Sequence, residues 1–158
     1  LIGEPLAGGY HSCNRVMSNC GARCCEDSTA LLSPELARMT IPYLREAVKP
    51  FGCWIHFCGK GQHIMKMYSD LGEVRGFNLG NPEMYDWSIT MKGIAGARKI
   101  YYGQVGRGED ETLPSYFRRV LSPLARKGHL IFQPILRERE KSNEAMALWH
   151  QLQDEFFR

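Results

Sequence analysis

No apolar run in this sequence approaches the roughly 18 residues that a membrane-spanning helix requires, so a span is not expected. No charged stretch followed by an apolar one reads as a signal peptide. Charge of one sign is scarce as well. Twenty Lys and Arg face 17 Asp and Glu, for a net charge of +3. The two signs alternate along the chain instead of gathering into a basic stripe that would track phosphates, which argues against nucleic acid as a partner. No low-complexity segment or linker divides the chain, so 1–158 reads as one domain. The glycine-containing stretches 58–61 and 103–110 have neither the dinucleotide nor the phosphate-loop spacing. His11, Cys13, Cys20 and Cys24 match the spacing of no standard zinc finger.

What is present is apolar content sufficient for a core, at 44% hydrophobic residues, and six cysteines. A chain that can bury a core has little need of disulfide staples. Several of the cysteines also lie in strand-like runs, so reduced thiols and a cytoplasmic location are expected. Cys24 and Cys25 read as two buried thiols on opposite faces of a strand. The chain opens on Leu1, which fits a native N-terminus lying further upstream.

Residues 1–21 are rich in Gly, Ser and Asn and read as irregular. A rhythm follows. Strands are expected at 22–27, 53–57, 74–79, 99–105 and 129–133. Helices are expected between them and after the last. Ser33-Pro34-Glu35 opens the first by a cap and a proline at the first helical position. Its stripe is Leu36, Met39, Tyr43, Leu44 and Ala47, with a kink at Pro42. A second helix covers 61–70. Asn81-Pro82-Glu83 opens a third, running to Lys92. Thr112 caps a fourth over 113–127. Ser142 or Asn143 opens the last, with Ala145, Leu148, Trp149, Leu152 and Phe156 in helical register. Five βα alternations imply an α/β fold with a parallel sheet. A closed (β/α)8 barrel needs eight units, so the alternatives are an open five-stranded sheet or a barrel lacking its first part.

The stretch from Cys53 to Gly59 carries the clearest chemistry. Side chains alternate along a strand, so Trp54, His56 and Cys58 share one face. His56 and Cys58 fall at the C-terminal end, where parallel α/β folds build their sites. Imidazole nitrogen and thiolate sulfur are both zinc ligands. The same two residues also serve simply as a buried histidine and thiol filling an interior. His63 and His129 read as structural and His150 as a surface residue. Arg137, Arg139 and Lys141, interleaved with Glu138 and Glu140, read as a solvated charged loop.

Two blocks, Asp27-Ser28-Thr29-Ala30-Leu31-Leu32-Ser33-Pro34-Glu35-Leu36 and Ile55-His56-Phe57-Cys58-Gly59, resemble the uroporphyrinogen decarboxylase superfamily, as does Gly76-Phe77-Asn78-Leu79-Gly80-Asn81-Pro82-Glu83. The similarity runs from about Ala22 onward. It implies the C-terminal part of a (β/α)8 TIM-type barrel, about five βα units. It also implies one of two activities. One is metal-free decarboxylation of a tetrapyrrole, uroporphyrinogen. The other is zinc-dependent methyl transfer between a corrinoid and a small-molecule thiol, with a corrinoid protein as partner. His-x-Cys-Gly is similar to the zinc motif of the second group, so the resemblance implies His56 and Cys58 as metal ligands. That group takes a third cysteine from its last strand, and the matching 131–135 holds none. Asp27, Cys24 or Cys25 are the candidate replacements, with Asp27 the candidate catalytic residue as ligand or orienter. A half-barrel would self-associate or require its N-terminal half. On its own it would be inactive, or serve as an assembly module.

Overall fold

The computed structural model describes residues 21–126 and 128–158. The expected irregular segment, with His11, Cys13 and Cys20, lies outside them apart from Gly21. Five strands alternate with helices: β1 (Ala22–Cys25), α1 (Pro34–Arg38), α2 (Ile41–Val48), β2 (Cys53–Phe57), α3 (Gln62–Ser69), β3 (Val74–Leu79), α4 (Trp87–Gly96), β4 (Ile100–Gly103), α5 (Leu113–Leu121), β5 (Leu130–Phe132) and α6 (Ser142–Phe156). The strands form one sheet in the order β1-β2-β3-β4-β5, with every pair parallel. The fold is therefore α/β with each strand beside its sequence neighbour. Among the described residues no helix is long and apolar enough to cross a membrane.

All the helices bury themselves in one core. It contains Ala37, Val48, Ile64, Tyr68, Met91, Ile94, Phe117, Leu121, Ala145 and Leu152 from the helices, and Cys53, Ile55, Phe57, Phe77 and Tyr101 from the strands. Ile55, Phe57 and Phe77 are fully inaccessible. Burial of such a side chain contributes about 1.5–3 kcal/mol, so these three positions anchor the middle of the sheet. Trp54 and Tyr102 are also buried but are not part of that cluster. They stand on the opposite face, where their rings meet edge to face at 6.5 Å. The period of two along each strand thus separates a helix-covered face from a second face that carries the polar residues.

Three helices begin as capping chemistry dictates. Ser33 Oγ accepts from the Leu36 amide, Asp86 Oδ1 from Ile89 and Thr112 Oγ1 from Ser115. Several boundaries differ from expectation. The helix expected from Ser33 is two helices, and Pro42 stands in the first turn of α2 instead of kinking a continuous rod. A proline is favoured there because the first turn has no use for its missing N–H. The buried stripe is consequently Ala37, Ile41, Leu44 and Val48, while Leu36, Met39, Tyr43 and Ala47 face outward. Pro82 opens only a 3-10 turn, Pro82–Met84, and the long helix starts afresh at the Asp86 cap. α5 stops at Leu121, six residues before the expected end, because Pro123 has no N–H to continue the ladder. β1, β4 and β5 are each shorter than expected. Cys24 is half-buried and Cys25 exposed, contrary to the expectation of two buried thiols. Among the described residues β1 is an edge strand with a neighbour on one side only, and burial there is incomplete.

Candidate metal centre

Parallel strands bring their C-terminal ends to one edge of the sheet, and the polar residues collect there. β1 ends on Cys25, with Asp27 two residues beyond. β2 carries His56, with Cys58 just past its end, and β3 carries Asn78. Cys25 pairs in register with His56, and His56 with Asn78. All three residues therefore project from the face opposite the helices.

One ligand atom each from Cys25, Asp27 and His56 lies within 4.8 Å of the others. Such mutual spacing suits a shared cation. Cys58 adjoins this group: its Sγ is 3.1 Å from His56 Nε2, and its backbone N–H donates to Asp27 Oδ1 at 2.6 Å. The structure thus brings together the three site residues expected from sequence, Asp27, His56 and Cys58. Of the replacement ligands, it places Cys25 in the group and Cys24 outside it. Cys24 points to the helix-covered face, where it accepts a hydrogen bond from the Cys53 thiol; that bond lowers the pKa of Cys24 and raises that of Cys53. Among the described residues none of Cys24, Cys25, Cys53 and Cys58 is bridged.

His56 is 1% exposed, and its ring is fixed from behind. Asn78 donates through Nδ2 to the Tyr102 carbonyl at 2.5 Å, which leaves its Oδ1 facing His56 Nδ1 at 2.5 Å. An oxygen there requires the proton on Nδ1, so the neutral ring presents the lone pair of Nε2 toward Cys58 and the cluster. This is the second-layer arrangement typical of a metal-binding histidine. Two glycines make room for it. A Cβ at Gly80 would come within 2.9 Å of Cys58 Sγ and 3.3 Å of the His56 ring. A Cβ at Gly103, where φ is +147°, would meet Asn78 Nδ2 at 2.8 Å.

Burial pushes the Cys58 thiol above the ordinary cysteine value, and the neighbouring Asp27 carboxylate and Cys25 push it further; Arg23 pulls the other way. A thiol held protonated by nearby negative charge is one whose proton a bound cation displaces, because the cation inverts the local field. Asn78 was not singled out in the sequence. Its signal is a lone amide within the apolar run Gly76-Phe77-Asn78-Leu79, on the face set by the period of two.

The charged loops after β4 and β5 form a brace. Arg107, whose side chain is 2% exposed, holds Glu140 through both terminal nitrogens at 2.6 and 2.7 Å, and also donates to the Ile135 carbonyl. Arg137 donates to the carbonyls of Gly108 and Glu109. The loop is otherwise solvated as expected: Arg137, Glu138, Arg139 and Lys141 are exposed, and only Glu140 is half-buried. His63 binds the Leu32 carbonyl at 2.9 Å and His129 the Lys99 carbonyl at 2.8 Å, both structural contacts, and His150 is exposed. Compared with known proteins, the chain matches no family model, no curated protein and no solved structure.

Proposed function

We propose that this chain is part of a cytoplasmic (β/α)8-type barrel enzyme related to the uroporphyrinogen decarboxylase superfamily, and that its chemistry is zinc-assisted methyl transfer from a corrinoid to a small thiol. The observation that carries the reading is the convergence of Cys25, Asp27 and His56 within 4.8 Å at the strand ends, with Cys58 against His56. Sequential strand order with every helix on one face supports the barrel, since a doubly wound sheet reverses its order and carries helices on both faces.

The donor set fits zinc: one imidazole, one carboxylate and up to two thiols, in a site whose histidine has its tautomer fixed. His56 through Nε2, Cys58 and Cys25 through sulfur, and Asp27 through a carboxylate oxygen would hold it. A bound zinc supplies a low-pKa environment in which a substrate thiol ionises near neutral pH. The protein's own residues prepare that site. Asn78 holds the His56 ring in one tautomer. Asp27 anchors the Cys58 amide and with it the turn after β2. Gly80 keeps the space in front of Cys58 open.

The test is metal analysis of the purified protein, followed by zinc titration. Near-stoichiometric zinc is expected. His56→Ala, Cys58→Ser and Asp27→Asn should each lower affinity at least tenfold, because a site of three or four ligands cannot spare one, whereas Cys20→Ser should change it little. Chelation should abolish methyl transfer from methylcobalamin to a small thiol. A metal-free, chelator-indifferent protein that releases carbon dioxide from a porphyrinogen would instead establish the decarboxylase activity.

A further inference from the structure

Arg23 of β1 and Trp54 of β2 are direct partners in register, on the face of the sheet that carries Cys25 and His56. Arg23 Nε and Nη1 and Trp54 Nε1 are all buried, and none has a hydrogen-bond partner among the described residues. Arg23 Nη2 makes one long contact, 3.4 Å, to Asn78 Oδ1. Trp54 is 3% exposed. All of these nitrogens are donors and cannot accept.

Buried donors without acceptors are uncommon in folded proteins, and each calls for an explanation. A single indole N–H could be tolerated. Here an indole and a guanidinium, one of them fully charged, stand side by side with their donors unmet. Desolvating a positive group with no counter-charge is costly, and an oxyanion removes that cost in one contact: its oxygens accept and its charge neutralises. Arginine is the side chain best suited to this, since its planar donors match the geometry of a carboxylate.

We propose that Arg23 and Trp54 form an oxyanion subsite that receives the carboxylate of a small ligand. The subsite lies one strand repeat inward from the metal candidates. Two residues along β1 lead from Arg23 to Cys25, and two along β2 lead from Trp54 to His56, a step of about 7 Å along a strand. The ligand is therefore a short carboxylic acid with its second functional group a few bonds from the carboxyl. What that second group does rests on the metal reading above; the carboxylate contact does not. Through Asn78 Oδ1, which Arg23 shares with His56, the subsite is joined to the ring that faces the cluster.

The probe is propionate, titrated into protein carrying ¹⁵N-labelled tryptophan, both after chelation and after zinc loading, with chloride at matched ionic strength as control. The chain has three tryptophans, and Trp87 Nε1 already donates to the Val120 carbonyl at 3.1 Å. Its indole signal therefore reports that the fold is intact. A Trp54→Phe variant assigns the Trp54 signal. The expected result is a saturable shift of the Trp54 indole signal at millimolar propionate, present in the chelated protein, with the Trp87 signal unmoved. Arg23→Met should abolish the shift, and Arg23→Lys should weaken it several-fold, with Trp87 unchanged in both. A Trp54 signal that does not respond, that responds equally to chloride, or that responds equally in Arg23→Met overturns the proposal. Binding in the chelated protein together with no zinc uptake would retain this subsite and overturn the metal centre alone.

Discussion

The two nitrogens of His56 have different tasks. Nδ1 is committed to Asn78, so Nε2 faces Cys58 and the cluster. The orienting residue should then matter to a metal without touching it. Asn78→Leu keeps the volume and removes the acceptor, and the ring is then free to place its proton on either nitrogen. Zinc affinity should fall by about 10–100-fold, the usual cost of losing a second-layer partner. Competition against a chromophoric chelator measures this, with circular dichroism checking that the fold persists. Affinity equal to that of the unaltered protein would mean that Asn78 serves packing alone.

At the scale of elements, the brace between the β4 and β5 loops is the ion pair with the most buried cation among the described residues. Arg107 holds the Glu140 carboxyl at about 2, and the Arg137 backbone N–H adds to the effect. A carboxylate with a depressed folded pKa stabilises the fold fully above its unfolded pKa, about 4.3 for glutamate. That contribution is lost as pH falls toward 2. Glu140→Gln removes the paired carboxylate from a nearly inaccessible guanidinium, which keeps its bonds to the Ile135 and Glu111 carbonyls, and should cost about 3 kcal/mol at neutral pH. Urea denaturation should show the difference from wild type narrowing as pH drops below about 4. A constant difference down to pH 2 would refute the assignment.

The elements themselves were largely legible in the sequence. β2 and β3 fall on their expected residues because each is a short run rich in large apolar side chains (Trp54, Ile55 and Phe57; Val74, Phe77 and Leu79) closed off by turn-forming glycines, Gly52 and Gly59 around β2 and Gly72 and Gly80 around β3. The helix boundaries shifted where a proline had two readings: Pro42 as a kink or a first-turn residue, Pro82 as a helix start or a single turn. Local propensity does not separate these, and tertiary packing decided both. In the site, His56 and Cys58 share a strand, and the period of two placed them together. Cys25 and Asp27 reach them only through the β1–β2 register, and the tether at Asn78 only through β2–β3. Register depends on long-range pairing, which one sequence shows poorly. The Arg107–Glu140 pair, 33 residues apart, was invisible for the same reason.

At the scale of the whole molecule, the outward stripe matters most. Leu31 is 88% exposed, Tyr43 80% and Met39 68%, and they follow β1, whose outer edge has no strand beside it among the described residues. A run of large apolar side chains next to an open sheet edge favours association. Light scattering at micromolar concentration should therefore give a mass above that of one 18.0 kDa chain. Met39→Glu with Tyr43→Glu should shift the population toward that single-chain mass without loss of helical signal. A single-chain mass for the unaltered protein across the micromolar range would contradict the expectation.

The sequential strand order also bears on how the chain reaches this state. Each strand pairs with the one just before or just after it, so no contact in the sheet waits for two distant segments to find each other. The entropy of closing long loops is spent in small instalments, one helix crossover at a time. Every pairing in the sheet is thus closed across a single helical crossover, between neighbours in sequence. The β2–β3 pair joins the most buried strands and carries both His56 and Asn78. The backbone frame of the histidine and its tether therefore rests on this central pair and on neither edge strand.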